Sequence, residues 1–127
     1  ILMLGSNDLR KSYAATPAQI GQDVQLVVQR GLRAHPAPPP GVLLLSPPPL
    51  LPAAVDGEFY DSTAPARCAE LPAVYARIAA TCGWAFEDAA RYALPSELDG
   101  THLDERGHSA LANALLPVVR ALCNVRP

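Results

Sequence analysis

Short apolar runs alternate along the chain with longer segments in which apolar residues recur every three or four positions. A short continuous run is typical of a strand covered on both faces, whereas the longer spacing is typical of a helix with one buried face. The runs predict three strands, at residues 1–4, 42–45 and 84–87. The periodic segments predict three helices, at residues 17–32, 66–82 and 104–122, with Val27 on the apolar face of the first and Tyr75 on that of the second.

Several residues mark where these helices begin and end. Thr16 followed by Pro17 is a favourable start, because threonine caps the first turn and proline fits the first helical position. Gly83 is expected to end the second helix. Pro72 indicates that the second helix is regular only from that residue onward, and Pro117 predicts a kink in the third or packing that tolerates the lost hydrogen bond.

The alternation of strands and helices predicts right-handed crossovers and a parallel sheet. The expected fold class is therefore α/β, with three layers in the order α/β/α. In such folds, ligands bind at the loops that follow the carboxyl ends of the strands. The proline-rich residues 46–65 form one such loop, which we expect to be irregular, and long loops in compact domains are usually functional or mobile.

Composition narrows the function classes. With 127 residues, half of them apolar, the chain can form one domain with a real core, and its formal charge of -2 provides no basic surface for nucleic acid or an anionic membrane. No apolar run is long enough to span a membrane. Three cysteines at no metal-like spacing (Cys68, Cys82 and Cys123) predict reduced, mostly buried thiols and a reducing compartment such as the cytoplasm.

The first candidate for chemistry is Asn7, in the segment Gly5-Ser6-Asn7-Asp8 that follows the first strand. A side-chain amide at this position could donate a hydrogen bond to the oxyanion that forms when a nucleophile attacks a carbonyl. The structural alternative is an Asx-turn, in which Asn7 and Asp8 bond their own backbone.

The second candidate is His102, three residues after Asp99 in the segment Asp99-Gly100-Thr101-His102. A carboxylate at this spacing can reach one imidazole nitrogen across a glycine-containing turn, which leaves the other nitrogen free to accept a proton. The structural alternative is that Asp99 caps a turn and that His102 is a surface histidine.

Other polar residues carry weaker signals. We interpret His108 as a solvated helix residue and His35 as a loop residue, and no spacing of histidines and carboxylates indicates a metal site. The carboxylates of Asp56, Glu58 and Asp61 are expected to be solvated. Ser46 ends a strand but is followed by three prolines, so no strand-to-helix elbow presents it as a nucleophile.

The two segments together resemble blocks of the SGNH (GDSL-type) serine hydrolase family. Residues 4–9 resemble its G-x-N-D block, and residues 98–108 resemble its D-x-x-H block together with the following L-D-x-x-G-H. The resemblance extends over the whole chain and is nearest to the bacterial arylesterase branch, where oligomers are common. It implies a flavodoxin-like domain with a five-stranded parallel sheet, of which this chain would supply the last three strands.

The resemblance also implies roles for individual residues. His102 would be the general base, Asp99 the carboxylate that orients it, and Asn7 an oxyanion donor. The nucleophilic serine of the family belongs to a G-D-S block that this chain does not contain. No cofactor and no metal are implied.

The chain starts at Ile1, within an apolar run, so we interpret it as the C-terminal part of a longer protein. Its expected partner is the N-terminal part of the same protein, which would supply the serine and pair with the first strand, and the isolated segment is expected to be unstable because that strand is an open edge.

The resulting hypothesis is a serine esterase for short-chain esters. Leu50, Leu51 and Phe59 are the expected pocket residues, on a loop that could equally serve a subunit contact. The alternatives are a non-catalytic binding module on the same fold, an acyltransferase, or a carbohydrate deacetylase.

Overall fold

Three parallel strands form the centre of the molecule. The structure is a computed structural model that describes residues 1–13, 15–35, 41–55 and 57–124. The strands are β1 (Leu2–Met3), β2 (Leu43–Ser46) and β3 (Ala85–Asp88), and they lie in the order β1-β2-β3. The parallel register pairs Leu2 with Leu44 and Leu44 with Phe86. The predicted α/β fold with a parallel sheet is confirmed.

Four helices accompany these strands. They are α1 (Pro17–Ala34), α2 (Pro52–Val55), α3 (Ala64–Cys82) and α4 (Glu105–Asn124). Two short 3-10 turns, Asn7–Leu9 and Ala89–Arg91, follow β1 and β3. The strand and helix boundaries differ from the predicted ones by up to two residues, except for α2, which was not predicted.

Successive residues of β2 point to opposite faces of the sheet and define two cores. Leu44 packs with buried residues of α1 and α3, whereas Leu43 and Leu45 pack with Leu111 and Leu115 of α4. Because strand side chains alternate in direction, a strand with helices on both faces must be apolar at every position. The layers are therefore α/β/α, with the sheet between α1 and α3 on one side and α4 on the other.

Two of the predicted helix boundaries are confirmed. The Thr16 side chain accepts a hydrogen bond from the backbone N–H of Gln19, whose side chain bonds back to the Thr16 backbone. This reciprocal arrangement satisfies two amide donors at the start of α1. Gly83 ends α3 with a φ of 69°, in the left-handed region that glycine adopts most readily.

The expectation that α3 is regular only from Pro72 is wrong. The helix begins eight residues earlier, at Ala64, and continues through Pro72 although this residue cannot donate a hydrogen bond to the carbonyl of Cys68. Cys68 and Leu71 are buried in the first core, so packing offsets the lost bond. Helix α4 likewise continues through Pro117.

Residues 46–65 are also more ordered than predicted. Helix α2 lies within this segment, and its Ala54 is buried in the core beside Tyr60 and Leu50. Asp56 lies outside the described residues, while Glu58 is exposed and Asp61 forms an ion pair with Arg67 at 3.3 Å.

Val27 departs from the predicted buried face of α1. Ile20 and Val24 on that face are buried, but Val27 is 51% exposed. The reason is its position beside β1, which lies at the edge of the sheet and pairs only with β2 among the described residues. Helix α1 therefore extends past the sheet edge and leaves part of its apolar face uncovered.

The cysteines are all free thiols, as predicted, but only Cys68 is buried, while Cys82 is half-buried and Cys123 is exposed. Within the part of the chain that the structure describes, no helix has the length and apolar character needed to cross a membrane.

Candidate functional site

The candidate residues lie on the loops after the strands. Asn7 is in the 3-10 turn that follows β1, and His102 is in the connection between β3 and α4. Both line the same two cavities. Residues that are 95 positions apart in the sequence are thus brought to one side of the molecule, the side at which parallel α/β sheets bind ligands.

His102 and Asp99 are in direct contact. The Nδ1 atom of His102 lies 2.7 Å from Oδ2 of Asp99. The other carboxylate oxygen, Oδ1, accepts hydrogen bonds of 2.9 Å from the backbone N–H groups of Thr101 and His102. The backbone of the turn therefore holds the Asp99 carboxylate, and the carboxylate orients the imidazole of His102.

These hydrogen bonds lower the pKa of Asp99 to about 2. The largest cause is the backbone N–H of His102, followed by that of Thr101 and by the imidazole of His102, since each bond favours the ionised carboxylate. Asp99 is consequently ionised at neutral pH. When the imidazole is neutral, the ionised carboxylate favours the tautomer with its proton on Nδ1, which leaves Nε2 as a proton acceptor.

The turn that carries Asp99 and His102 rests on α2. Gly100 has a φ of 67°, and a Cβ atom at this position would lie 2.6 Å from the backbone nitrogen of Ala54. The carbonyl of Gly100 accepts a 2.9 Å hydrogen bond from the N–H of Leu51. The sequence predicted a glycine-containing turn between Asp99 and His102, but it predicted neither α2 nor the close contact of Gly100 with it.

The same turn closes on itself through Ser96. The N–H of Gly100 donates a 2.8 Å bond to the carbonyl of Ser96, and the N–H of Ser96 donates a 2.8 Å bond to the carbonyl of His102. These backbone bonds hold His102 although its side chain is 82% exposed and that of Asp99 is 46% exposed.

A buried tyrosine supports the turn that carries Asn7. The Tyr75 hydroxyl donates a 2.9 Å hydrogen bond to the carbonyl of Leu4, and burial raises the pKa of that hydroxyl. Gly5 has a φ of 114°, and a Cβ there would lie 2.4 Å from the tyrosine oxygen. The sequence identified Tyr75 only as part of an apolar helix face.

The side-chain amide of Asn7 is exposed and forms no hydrogen bond with any described residue. The described residues thus do not form the Asx-turn that was the structural alternative. Backbone hydrogen bonds close the 3-10 turn instead. These run from Leu9 to Ser6 at 3.3 Å and from Arg10 to Asn7 at 3.2 Å.

Two cavities meet at Asn7 and His102. The smaller has a volume of about 260 Å³ and is also lined by Met3, Ser6, Pro47, Pro48, Thr101, Leu103 and His108. The larger has a volume of about 370 Å³ and is also lined by Arg10, Ala53, Ala54, Gly57, Glu58, Phe59, Tyr60, Leu98, Asp99 and Thr101. His108, which the sequence indicated as a solvated helix residue, is exposed but shares the smaller cavity with His102.

The three residues expected to line a pocket are placed differently from one another. Phe59 is 53% exposed and lines the larger cavity. Leu50 is buried in the core on the α1 and α3 side of the sheet. Leu51 is half-buried and contributes its backbone N–H to the turn at Gly100.

Ser46 lies at the end of β2 but is fully buried. Its hydroxyl donates a 2.7 Å hydrogen bond to Asp88 at the end of β3, which ties the two strand ends together. Among the described residues, no group of three or more histidine, cysteine, aspartate and glutamate side chains is arranged to hold a metal ion.

No protein-family model matches the chain, and no curated protein matches it either. Several solved structures do match the chain. The chain is 29% identical to a carbohydrate acetylesterase family member from Sinorhizobium meliloti, with a TM-score of 0.84. It is also 29% identical to the native aryl esterase of M. smegmatis, with a TM-score of 0.83.

Each match covers 94% of this chain and 59% of the solved one. The chain therefore has the α/β fold of these esterase structures and spans less than two thirds of their length. Because one fold can support many functions, the assignment of an activity depends on the residues of the site.

Proposed function

We propose that the chain is the C-terminal part of a serine esterase of the SGNH (GDSL-type) family that hydrolyses short-chain carboxylic esters. In this proposal His102 is the general base, Asp99 orients it and Asn7 donates a hydrogen bond to the oxyanion. The observation that carries the proposal is the 2.7 Å contact between His102 and Asp99 beside cavities that Asn7 also lines. The esterase structures with the same fold support it.

The proposed reaction begins when a serine hydroxyl attacks the ester carbonyl. Nε2 of His102 takes the hydroxyl proton while the serine oxygen bonds to the carbonyl carbon, and Asp99 stabilises the imidazolium that results. The imidazolium then gives this proton to the departing alkoxide, which leaves an acyl-serine. Water repeats the same two proton transfers, so the carboxylic acid is released and the serine regains its hydrogen.

Asn7 acts on the tetrahedral stages of this sequence. The carbonyl oxygen becomes negatively charged when the serine or the water attacks, and an amide donor aimed at that oxygen stabilises the charge. Since the side-chain amide of Asn7 makes no hydrogen bond to a described residue, it does not have to give up a protein partner to do so.

The serine is proposed to come from a segment outside this chain. That segment would add a strand beside β1, which pairs only with β2 among the described residues. Met3 of this strand and Leu4 directly after it are partly exposed. The added strand would pair the open backbone groups of β1 and cover its apolar edge. It would also cover the exposed part of α1 at Val27.

A second candidate within the same chemistry is deacetylation of a carbohydrate. It is favoured by the carbohydrate acetylesterase among the structures with this fold. The proton transfers would be the same, and the leaving group would be a sugar hydroxyl instead of a simple alcohol or phenol.

The decisive experiment is intact-mass analysis of the full-length natural protein before and after treatment with a fluorophosphonate. We expect a single adduct on a serine, formed rapidly by the natural protein and slowly by a His102→Ala variant. Absence of an adduct in a folded preparation would contradict the esterase proposal and would favour a non-catalytic binding module.

A further inference from the structure

Arg10 projects from the same turn as the proposed oxyanion donor. It directly follows the 3-10 turn Asn7–Leu9, and its backbone N–H bonds to the Asn7 carbonyl at 3.2 Å. Arg10 lines the larger cavity together with Asn7 and His102. A cation is therefore placed beside the groups to which we assign the reaction.

The Arg10 side chain is held by packing. Its guanidinium carbon lies 4.6 Å from the centre of the Phe59 ring, within the range of a cation–π contact. The backbone N–H of Lys11 also donates a 3.0 Å hydrogen bond to the Phe59 carbonyl. Two contacts thus join the turn after β1 to the loop after α2.

The guanidinium nitrogens of Arg10 have no described partner. The Nε atom is shielded from solvent and forms no hydrogen bond, and no described residue accepts one from the two terminal nitrogens, which are not shielded in this way. Arg67 is the contrast, because it donates to the carbonyls of Ala15 and Leu9 at 2.9 Å and pairs with Asp61. Arg67 serves the fold, whereas the described fold does not use the hydrogen-bonding capacity of Arg10.

We propose that Arg10 is a substrate-binding residue that recognises a carboxylate on the ester substrate. A guanidinium presents paired N–H donors that match the two oxygens of a carboxylate. The stacked ring of Phe59 holds the guanidinium in position, so less side-chain freedom is lost on binding. The preferred substrates are then esters that carry an acidic group on the acyl or the alcohol side.

This inference rests on the proposed function, since it names the substrate class of the same site. It also assigns an effect to Glu58, which is exposed and lines the same cavity. A carboxylate close to the proposed anion subsite repels an acidic substrate. Removal of the Arg10 charge should therefore lower the preference for acidic esters, and removal of the Glu58 charge should raise it.

The kinetic experiment compares acidic with neutral esters in the full-length natural protein. One pair, 4-acetoxybenzoate and phenyl acetate, places the acid on the alcohol side. The other, mono-4-nitrophenyl glutarate and 4-nitrophenyl butyrate, places it on the acyl side. The measured quantity is the ratio of kcat/KM for the acidic ester to that for its neutral partner.

We expect Arg10→Met to lower this ratio about tenfold or more in at least one pair, the size of effect typical of a lost charge-assisted hydrogen bond. Arg10→Lys should lie between the natural protein and Arg10→Met, because it keeps the charge without the paired donors. Glu58→Gln should raise the same ratio. The matched control is Arg30→Met, which removes an equal charge from an exposed position on α1 and should leave the ratio unchanged.

The proposal is overturned if Arg10→Met and Glu58→Gln both leave the two ratios within about twofold of the natural values. It is also overturned if Arg30→Met reproduces the loss, because net charge would then explain it. Since Glu58→Gln tests the same subsite, the result does not depend on Arg10→Met folding normally.

A binding measurement separates this inference from the proposed function. Benzoate and its neutral analogue benzamide would be titrated into the ¹⁵N-labelled full-length protein while the signals of the Arg10 Nε–H and the Asn7 side-chain amide are followed. We expect benzoate to shift them at lower concentration than benzamide, and Arg10→Met to abolish that difference at the Asn7 amide.

Benzoate selectivity without esterase activity would uphold the anion subsite and reject the proposed function. Esterase activity without benzoate selectivity, and without an Arg10-dependent ester preference, would uphold the proposed function and reject the anion subsite.

Discussion

The backbone N–H of Leu51 donates a 2.9 Å hydrogen bond to the carbonyl oxygen of Gly100. This bond joins the residue before α2 to the middle of the turn that carries Asp99 and His102. A Cβ atom on the same glycine would lie only 2.6 Å from the backbone nitrogen of Ala54. The proline-rich segment after β2 therefore supports the turn that carries the candidate general base.

Replacement of Gly100 tests whether this segment supports the turn. Gly100→Ala is expected to lower the free energy of unfolding by about 2 kcal/mol or more, because alanine is strained at a φ of 67° and its Cβ would lie 2.6 Å from the Ala54 nitrogen. Relief of that contact must move either α2 or the turn, so esterase activity should also fall. Chemical denaturation and initial rates measure the two effects.

The matched control is the same substitution at Gly31. That glycine lies within α1, and a Cβ there would meet nothing within 4 Å. Gly31→Ala should raise the free energy of unfolding by about 0.5–1 kcal/mol, as expected for alanine in a helix. Equal effects of the two substitutions would contradict the role assigned to Gly100.

Loss of the base is expected to have the largest kinetic effect. His102→Ala should lower kcat of the full-length natural protein by about 10²- to 10⁴-fold, because no group then takes the proton from the nucleophile. The control is His35→Ala, a histidine at the end of α1. Unchanged activity of the His102 variant would remove the basis of the proposed mechanism.

The sequence predicted this site largely because its polar residues lie in two local segments. The spacing of Asp99 and His102 predicted their contact, and the position of Asn7 after a strand predicted that it would lie near them. The contact of Gly100 with α2 and the part played by Arg10 were not predicted, because both depend on other segments. Ala54 lies opposite Gly100, and Phe59 packs on Arg10. Contacts of this kind depend on how distant loops fold, which local patterns do not encode.

The fold shows the same division between local and distant effects. Short apolar runs were sufficient to predict the three strands and apolar periodicity the three long helices, and capping residues located the start of α1 and the end of α3. Pro72 was misleading because its local cost is offset by packing against the core. Val27 was misleading for the opposite reason, since an apolar position on a helix face is buried only where the sheet extends beneath it.

Asn7 provides a test that separates binding from catalysis. Asn7→Ala should lower kcat by about 10²- to 10³-fold with little change in KM, because the amide donor is needed only when the oxyanion forms. Asn7→Asp is the isosteric comparison and should be at least as harmful, since a carboxylate repels the oxyanion. A variant that raised KM and left kcat unchanged would assign Asn7 to substrate binding instead.

The ionisation of Asp99 should be measurable directly. Its carboxyl carbon is expected to titrate with a pKa of about 2, below the ordinary value of 3.8. Because the folded-state pKa is lowered, the ionised carboxylate stabilises the fold. That contribution is fully present above the unfolded-state pKa near 3.8 and is lost as the pH falls through about 2. Carbon-detected NMR over a range of about pH 1.5 to 6 records the midpoint.

The His102→Ala variant divides the causes of this shift. The pKa of Asp99 should rise because the imidazole is gone, yet it should stay below 3.8, because the backbone N–H groups of residues 102 and 101 cause most of the lowering and remain in place. Asp61 is an internal control, since its pKa is lowered mainly by Thr63 and should not respond. A return of the Asp99 pKa to 3.8 in this variant would show that the imidazole, and not the turn, holds the carboxylate ionised.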